Sequence, residues 1–240
     1  DMVLQNDAFS SIVAAVRQGR IIFSNIRKSV MFMLCTNVAE VLAVAIASVL
    51  GGFTRLPIPL LPLQILYLNV ITDVFPAIAL GMGEGDPRMM QRDPRPRQES
   101  VLTRNHWAAV AGWALLVCAS VLAGLAVALY ILDFEPMQAV TVSFLTLGFS
   151  KLWFVFNLRA SQTTFFDNDI IKNRYVLGSI VLCVVLLLVA VYLPGLSDVL
   201  KTQVLDWSGW ALLLGMSLVP FVVGQFIIGI KGQRGEESEE

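Results

Sequence analysis

The sequence predicts an all-α membrane protein: six transmembrane helices, with a short cytoplasmic α/β remnant at the amino end. Three observations carry this. The chain is 56% hydrophobic and 15% charged, with a mean hydropathy of +0.72. That is more apolar surface than a soluble core of 240 residues can hide, so lipid is the expected solvent. Six stretches are long enough to cross a bilayer, which takes roughly 20 apolar residues in a helix. Finally, the basic residues collect on alternate connections between those stretches.

Met2–Leu4 reads as the end of a strand, and Asn6 or Asp7 as the cap of a helix carrying Phe9, Ile12, Val13 and Val16 on one face. Gly19 is expected to end that helix. From Arg20 a second helical pattern runs without a breaker into the first span, so residues 20–33 read as a rigid stalk below a cytoplasmic domain that ends near residue 19. The spans are Ser29–Gly52, Pro57–Gly83, Trp107–Leu132, Pro136–Leu158, Tyr175–Leu196 and Trp207–Ile230, and the third, fifth and sixth contain no charged residue. Residues 84–106 form a loop, and residues 231–240 a tail whose acidic end, Gly235–Glu240, is expected to be disordered.

Arg17, Arg20, Arg27 and Lys28 precede the first span. Arg88, Arg92, Arg95, Arg97 and Arg104 follow the second, Arg159, Lys172 and Arg174 the fourth, and Lys231 and Arg234 the sixth. Only Arg55 and Lys201 fall on the other side, so the positive-inside rule places both termini in the cytoplasm. Trp107, Trp207 and Trp210 stand near span ends, where an amphipathic ring favours the interface. The chain opens on Asp1 with no signal peptide before the first apolar run, and is expected to be part of something longer. Its net charge of −1 carries no signal for nucleic acid. Cys35, Cys118 and Cys183 lie inside apolar runs without metal-ligand spacing and read as packing residues.

Three charged residues fall within spans: Glu40, Asp73 and Lys151. Each costs on the order of 2.5–3.5 kcal/mol when placed centrally, so each is a functional candidate. Asn37 lies one turn before Glu40 on the same face of the first span, and Asn69, Thr72 and Asp73 share a face of the second. Pro76 follows. Its missing N–H would have bonded the Thr72 carbonyl, so the helix should loosen there and free a backbone oxygen. Broken helices beside carboxylates are how transporters build midplane cation sites. The donor set is all oxygen, the chemistry of a hard cation such as Ca²⁺, with Glu40 and Asp73 as the charged metal ligands. Asn and Thr in membranes also serve as plain interhelical bonds. Five such residues converging on two helices favour a site over that reading.

Two placements of Lys151 are open: snorkelling to the cytoplasmic interface, two turns before Arg159, or pointing inward to pair with Glu40 or Asp73. Pointing inward, it would be a fixed internal counter-charge standing in for a second metal ion. His106 reads as an interfacial anchor. Gln64, Tyr67 and Gln225 fit interhelical bonds better than a cavity lining.

Asn37-Val38-Ala39-Glu40-Val41 and Leu68-Asn69-Val70-Ile71-Thr72-Asp73-Val74-Phe75-Pro76-Ala77 resemble the cation-binding helices of P-type ATPases of the calcium-pump branch. Asp1-Met2-Val3-Leu4 and Gly19-Arg20 are similar to the end of that family's phosphorylation domain and the entry to its stalk. Asp93-Pro94-Arg95 falls at its proline- and arginine-rich loop. The resemblance is strong to about Trp107 and looser beyond. It implies that the six spans are the last six of a ten-helix membrane domain, residues 1–19 the end of the phosphorylation domain, and 107–230 four supporting helices. It implies cation ligation by Asn37, Glu40, Asn69, Thr72 and Asp73. Where the family carries a further Glu or Gln ligand this chain has Lys151, which predicts one cation per cycle.

The phosphorylation motif, nucleotide-binding and actuator domains and first four helices of that family are absent here. Mg²⁺ and ATP would therefore act only through that missing amino-terminal half, and this chain cannot hydrolyse ATP by itself. The expected function is the cation-translocation region of an ATP-driven pump in a prokaryotic plasma membrane, exporting a divalent cation such as Ca²⁺. The alternatives are a free-standing secondary transporter or channel, a pump for a monovalent cation, and a non-transporting scaffold. Missing inverted symmetry argues against the secondary transporter.

Overall fold

The computed structural model describes residues 9–53, 56–85, 89–90, 100–159 and 169–236. The expectations for Met2–Leu4, Asn6, Asp7, Arg55, Asp93-Pro94-Arg95 and the end of the acidic tail lie outside them. Among the described residues there is no strand, and six helices are long and apolar enough to cross a membrane.

The first of these, α1, runs unbroken from Phe9 to Gly51. At 1.5 Å per residue it is about 64 Å long, roughly twice the hydrocarbon thickness, so its first half projects beyond the bilayer. Gly19 does not end a helix. A glycine inside a helix costs only about 1 kcal/mol against alanine, and with no proline beside it the ladder continues through Gly19 to Gly51. The second span contains α2 (Pro62–Leu68), a π-helical turn (Asn69–Asp73) and α3 (Val74–Gly81). Then come α4 (Arg104–Tyr130), α5 (Pro136–Val155, closed by a 3₁₀ turn Phe156–Leu158), α6 (Arg174–Tyr192), the short α7 (Leu196–Leu200) and α8 (Trp207–Glu236).

Helix starts follow local chemistry. Pro62 and Pro136 occupy first helical positions, where no N–H is needed. His106 Nδ1 lies 3.1 Å from the Thr103 amide and 2.7 Å from its hydroxyl, closing the first turn of α4. Asn173 caps α6 by accepting from the Tyr175 and Val176 amides. Asp206 Oδ1 accepts from the Gly209 amide at 2.9 Å at the start of α8.

The fourth span, α5, is the hub: nearly every side chain from Ala139 to Val155 is buried. It carries Phe144, Leu145, Leu147 and Leu152 into a core shared with Ala43 of α1, Leu68 of α2, Val121 of α4 and Leu187 of α6. Gly148 allows this approach, because a Cβ there would sit 3.1 Å from Leu187 and 3.2 Å from Leu68. The basic end of the bundle is stapled by polar side chains. Ser29 donates to the Ala77 carbonyl, Asn173 to Ala79, and Asn25 to both Gly81 and Gly83. Arg20 and Arg27 of α1 donate to the Met89 and Val101 carbonyls, and Lys28 pairs with Asp169.

Candidate cation site

Pro76 is buried in α3, and the five residues that wind as a π turn lie just before it. A π turn shifts the hydrogen-bond ladder by one residue and widens the helix, a deviation that clusters at functional sites. It places Asn69 and Asp73 beside the first span, where Asn37 and Glu40 stand one turn apart. The fourth span closes the site from the third side with Lys151.

The Lys151 ammonium points inward and does not snorkel. It lies 2.9 Å from Glu40 Oε2, 3.1 Å from Asn69 Oδ1 and 3.1 Å from Asp73 Oδ1. It donates to the first two and forms an ion pair with the third. The Asn69 amide also donates to Glu40 Oε1 at 3.4 Å. Lys151 is 1% exposed, Asp73 2% and Glu40 4%, so the three charges form one desolvated cluster with a net charge of −1. Burying such charges is tolerated only when they are paired, and removing one partner from a buried pair costs about 3–5 kcal/mol.

The cluster is lopsided. Glu40 has both oxygens hydrogen-bonded, whereas neither oxygen of Asp73 accepts a well-formed hydrogen bond. Oδ1 has only the ion pair to Lys151, with the Asn37 side chain as a further neighbour of the carboxylate. The Lys151 ammonium offsets part of the desolvation of this carboxylate, which is the less fully hydrogen-bonded of the two.

The Thr72 hydroxyl donates to the Leu68 carbonyl at 2.8 Å, which uses its proton and leaves its oxygen lone pairs as acceptors. Among the described residues no three His, Cys, Asp or Glu side chains converge as a metal group. What converges is the carboxylates of Glu40 and Asp73 and the side-chain amides of Asn37 and Asn69, whose oxygens suit a hard cation. Gln64, Tyr67 and Gln225 make interhelical bonds, to the Leu200 carbonyl, the Leu186 carbonyl and the Asn157 side chain.

The sequence did not reveal Cys183, which is more than a packing residue: its thiol donates to the Ile71 carbonyl inside the π turn, at 3.3 Å. Nor did it reveal the side chains that cap the carbonyls of α3. For Asn173 the signal was present, an Asn just ahead of an apolar run. For Cys183 there was none.

Residues 57–229 match the family described as cation transporting ATPase, C-terminus. A calcium-transporting ATPase of Bacillus subtilis (strain 168) is 37% identical over 221 residues, covering 91% of this chain and 24% of the relative. Calcium-transporting ATPase 1 of Bacillus cereus is 32% identical over 241 residues, covering 95% of this chain and 27% of the relative. The P-type sodium-transporting ATPase4 of Toxoplasma gondii is 44% identical over 107 residues, covering 45% of this chain and 8% of its own. The chain thus spans about a quarter of the length of the Bacillus relatives. With a buried charge cluster at a broken membrane helix and a family match over most of its length, this chain belongs to the carboxy-terminal membrane region of the cation-transporting ATPases.

Proposed function

We propose that this chain is the cation-translocation region of an ATP-driven pump that carries Ca²⁺, one ion per cycle. The observation that carries this reading is the position of the Lys151 ammonium between Glu40 and Asp73. Two carboxylates and one ammonium leave a single negative charge and one open carboxylate, a charge that one divalent ion overcompensates and a second ion would meet as a cation. Lys151 stands in for the second ion. The cargo binds at Asp73 with the amide oxygens of Asn37 and Asn69 and carbonyls of the π turn, while Glu40 stays bound to Lys151.

Thr72, whose hydroxyl proton goes to the Leu68 carbonyl, offers the cargo its oxygen lone pairs. Pro76 keeps the turn open by withholding the N–H that the Thr72 carbonyl would take. The remaining ligands come from water and from the amino-terminal half of the pump. That half also holds the phosphorylation, nucleotide-binding and actuator domains through which Mg²⁺ and ATP act. The positive-inside pattern supports a cytoplasmic location for the basic end and both termini. Two bacterial relatives named as calcium-transporting support Ca²⁺ as the cargo, and we place the pump in a prokaryotic plasma membrane. The sodium-transporting relative, 44% identical over 107 residues, favours a monovalent cargo as the second reading.

The test is Asp73→Asn in the intact pump. Ca²⁺-dependent phosphorylation by ATP should be lost, and retained activation by Ca²⁺ would overturn the reading. Phosphorylation supported by Na⁺ and not by Ca²⁺ in the unmodified pump would select the second reading.

A further inference from the structure

The fifth span carries no charge and, by sequence, reads as support. Its bonds say more. Along one side of the second span, α6 makes contact before, within and after the π turn. Tyr67, before the turn, donates its hydroxyl to the Leu186 carbonyl at 2.7 Å. Cys183, one helical turn from Leu186, donates its thiol to the Ile71 carbonyl at 3.3 Å. Asn173 donates to the Ala79 carbonyl at 3.0 Å beyond it. The fifth span is a splint laid across a break.

Of these three bonds only that of Cys183 reaches the turn itself. Ile71 lies midway between Asn69 and Asp73, the two residues of the turn that meet the Lys151 ammonium. Because a π turn offsets the ladder by one residue, carbonyls in it fall out of register with the α-helical donors that follow. In a bilayer no water is available to satisfy them. We propose that Cys183 is a positioning residue for the cation site: its thiol holds the Ile71 carbonyl, and so sets the twist of the turn that aims Asn69 and Asp73. A thiol is a weak donor, so the turn is located without being locked. This rests on the cation reading of Asp73 given above.

The test is Ca²⁺ activation of ATP hydrolysis by the intact pump. Cys183→Ala should raise the half-activating Ca²⁺ concentration about three- to tenfold, the weight of one modest hydrogen bond, with the maximal rate within about twofold. Cys183→Ser, which keeps a donor at the same place, should restore most of the affinity. Cys118→Ala removes an equally buried thiol on α4, away from the turn, and should leave the affinity unchanged.

The proposal is overturned if Cys183→Ala behaves like Cys118→Ala, if serine fails to restore affinity, or if only the maximal rate falls. Asp73→Asn, run alongside, separates the two ideas. Loss of activation there with no effect at Cys183 removes only the positioning role, while intact activation there removes the cation reading and this inference together.

Discussion

The second and fourth spans both bring a buried charge to the same point, and they do it in opposite ways. The fourth is continuous α-helix from Pro136 to Val155, buried along almost its whole length, and it delivers Lys151 from the centre of the core. The second is broken by a π turn at the level of Asp73. It shows Leu66, Val70, Val74 and Ile78 outward, and it depends on neighbouring helices to bind its carbonyls. The buried ammonium is thus held on an unbroken, buried helix, and the Asp73 carboxylate on a helix whose ladder is interrupted at that level.

The largest effect is expected from removing the fixed charge. Lys151→Met leaves Glu40 and Asp73 buried without their common partner and should cost about 3–5 kcal/mol of stability. A thermal unfolding midpoint in detergent should fall and then recover in part on adding Ca²⁺, which takes the place of the ammonium. Lys151→Gln should move transport from one ion per ATP towards two, measured as ⁴⁵Ca²⁺ uptake against phosphate released. Unchanged stoichiometry would deny the ammonium its part as an internal ion.

Next is the packing of the sixth span against the third, beside the end of the fourth. A Cβ at Gly224 would lie 1.9 Å from Trp113 Cη2 and 3.0 Å from Asn157 Nδ2, and Trp113 is itself held edge-on against Phe154 at 5.0 Å. The ring must shift to admit the methyl, so Gly224→Ala should cost about 1–3 kcal/mol by overpacking, read as a lower melting midpoint.

The opposite change makes the second span more like the fourth. Pro76→Ala returns the N–H that the Thr72 carbonyl lacks, tightening the turn towards an α-helix. The protein should gain on the order of 1 kcal/mol in thermal stability while its half-activating Ca²⁺ concentration rises. A gain in stability without loss of affinity would show that the break is not needed for binding.

The smallest effect lies outside the bilayer. Asp206 is held below the usual carboxylate range, chiefly by the Gly209 amide and then by the Ser208 hydroxyl. Because its folded value is depressed, the stability it contributes is present above the ordinary carboxylate value and is lost as pH falls through the folded one. The difference in melting midpoint between the unmodified chain and Asp206→Ala should be small at neutral pH and vanish on acidification. A difference that grows in acid would reverse that assignment.

Much of the fold was legible because lipid enforces it. A span must be long and apolar, and the spans begin and end within a few residues of their hydropathy limits, apart from the first and second. The first differs because Gly19 is not a sufficient stop: a helix anchored by later packing passes through an isolated glycine. The second begins five residues late, since Pro57–Leu61 is irregular chain with a bend at Pro59–Leu60 ahead of the helix that Pro62 starts. Glu40, Asp73 and Lys151 stood out by cost alone. Their mutual placement did not, because hydropathy says nothing of how a span is rotated about its axis, and only that rotation separates a snorkelling Lys151 from an inward one. The rotamer of Thr72, turned back to Leu68, and the thiol of Cys183, indistinguishable from any buried cysteine, are equally silent in one dimension.

The uninterrupted run of α1 has a last consequence. Asn25 and Ser29, which grip the end of the second span, and Glu40, which meets Lys151, ride on one helix with no joint between them. Their angular phase is therefore set by residue count alone. Inserting one alanine between Ser29 and Asn37 would turn Glu40 by about 100° relative to the grip, whereas inserting seven would nearly restore the phase and lift the glutamate by about 10 Å. In this protein the distance between the lever's handle and its working end is written as an integer.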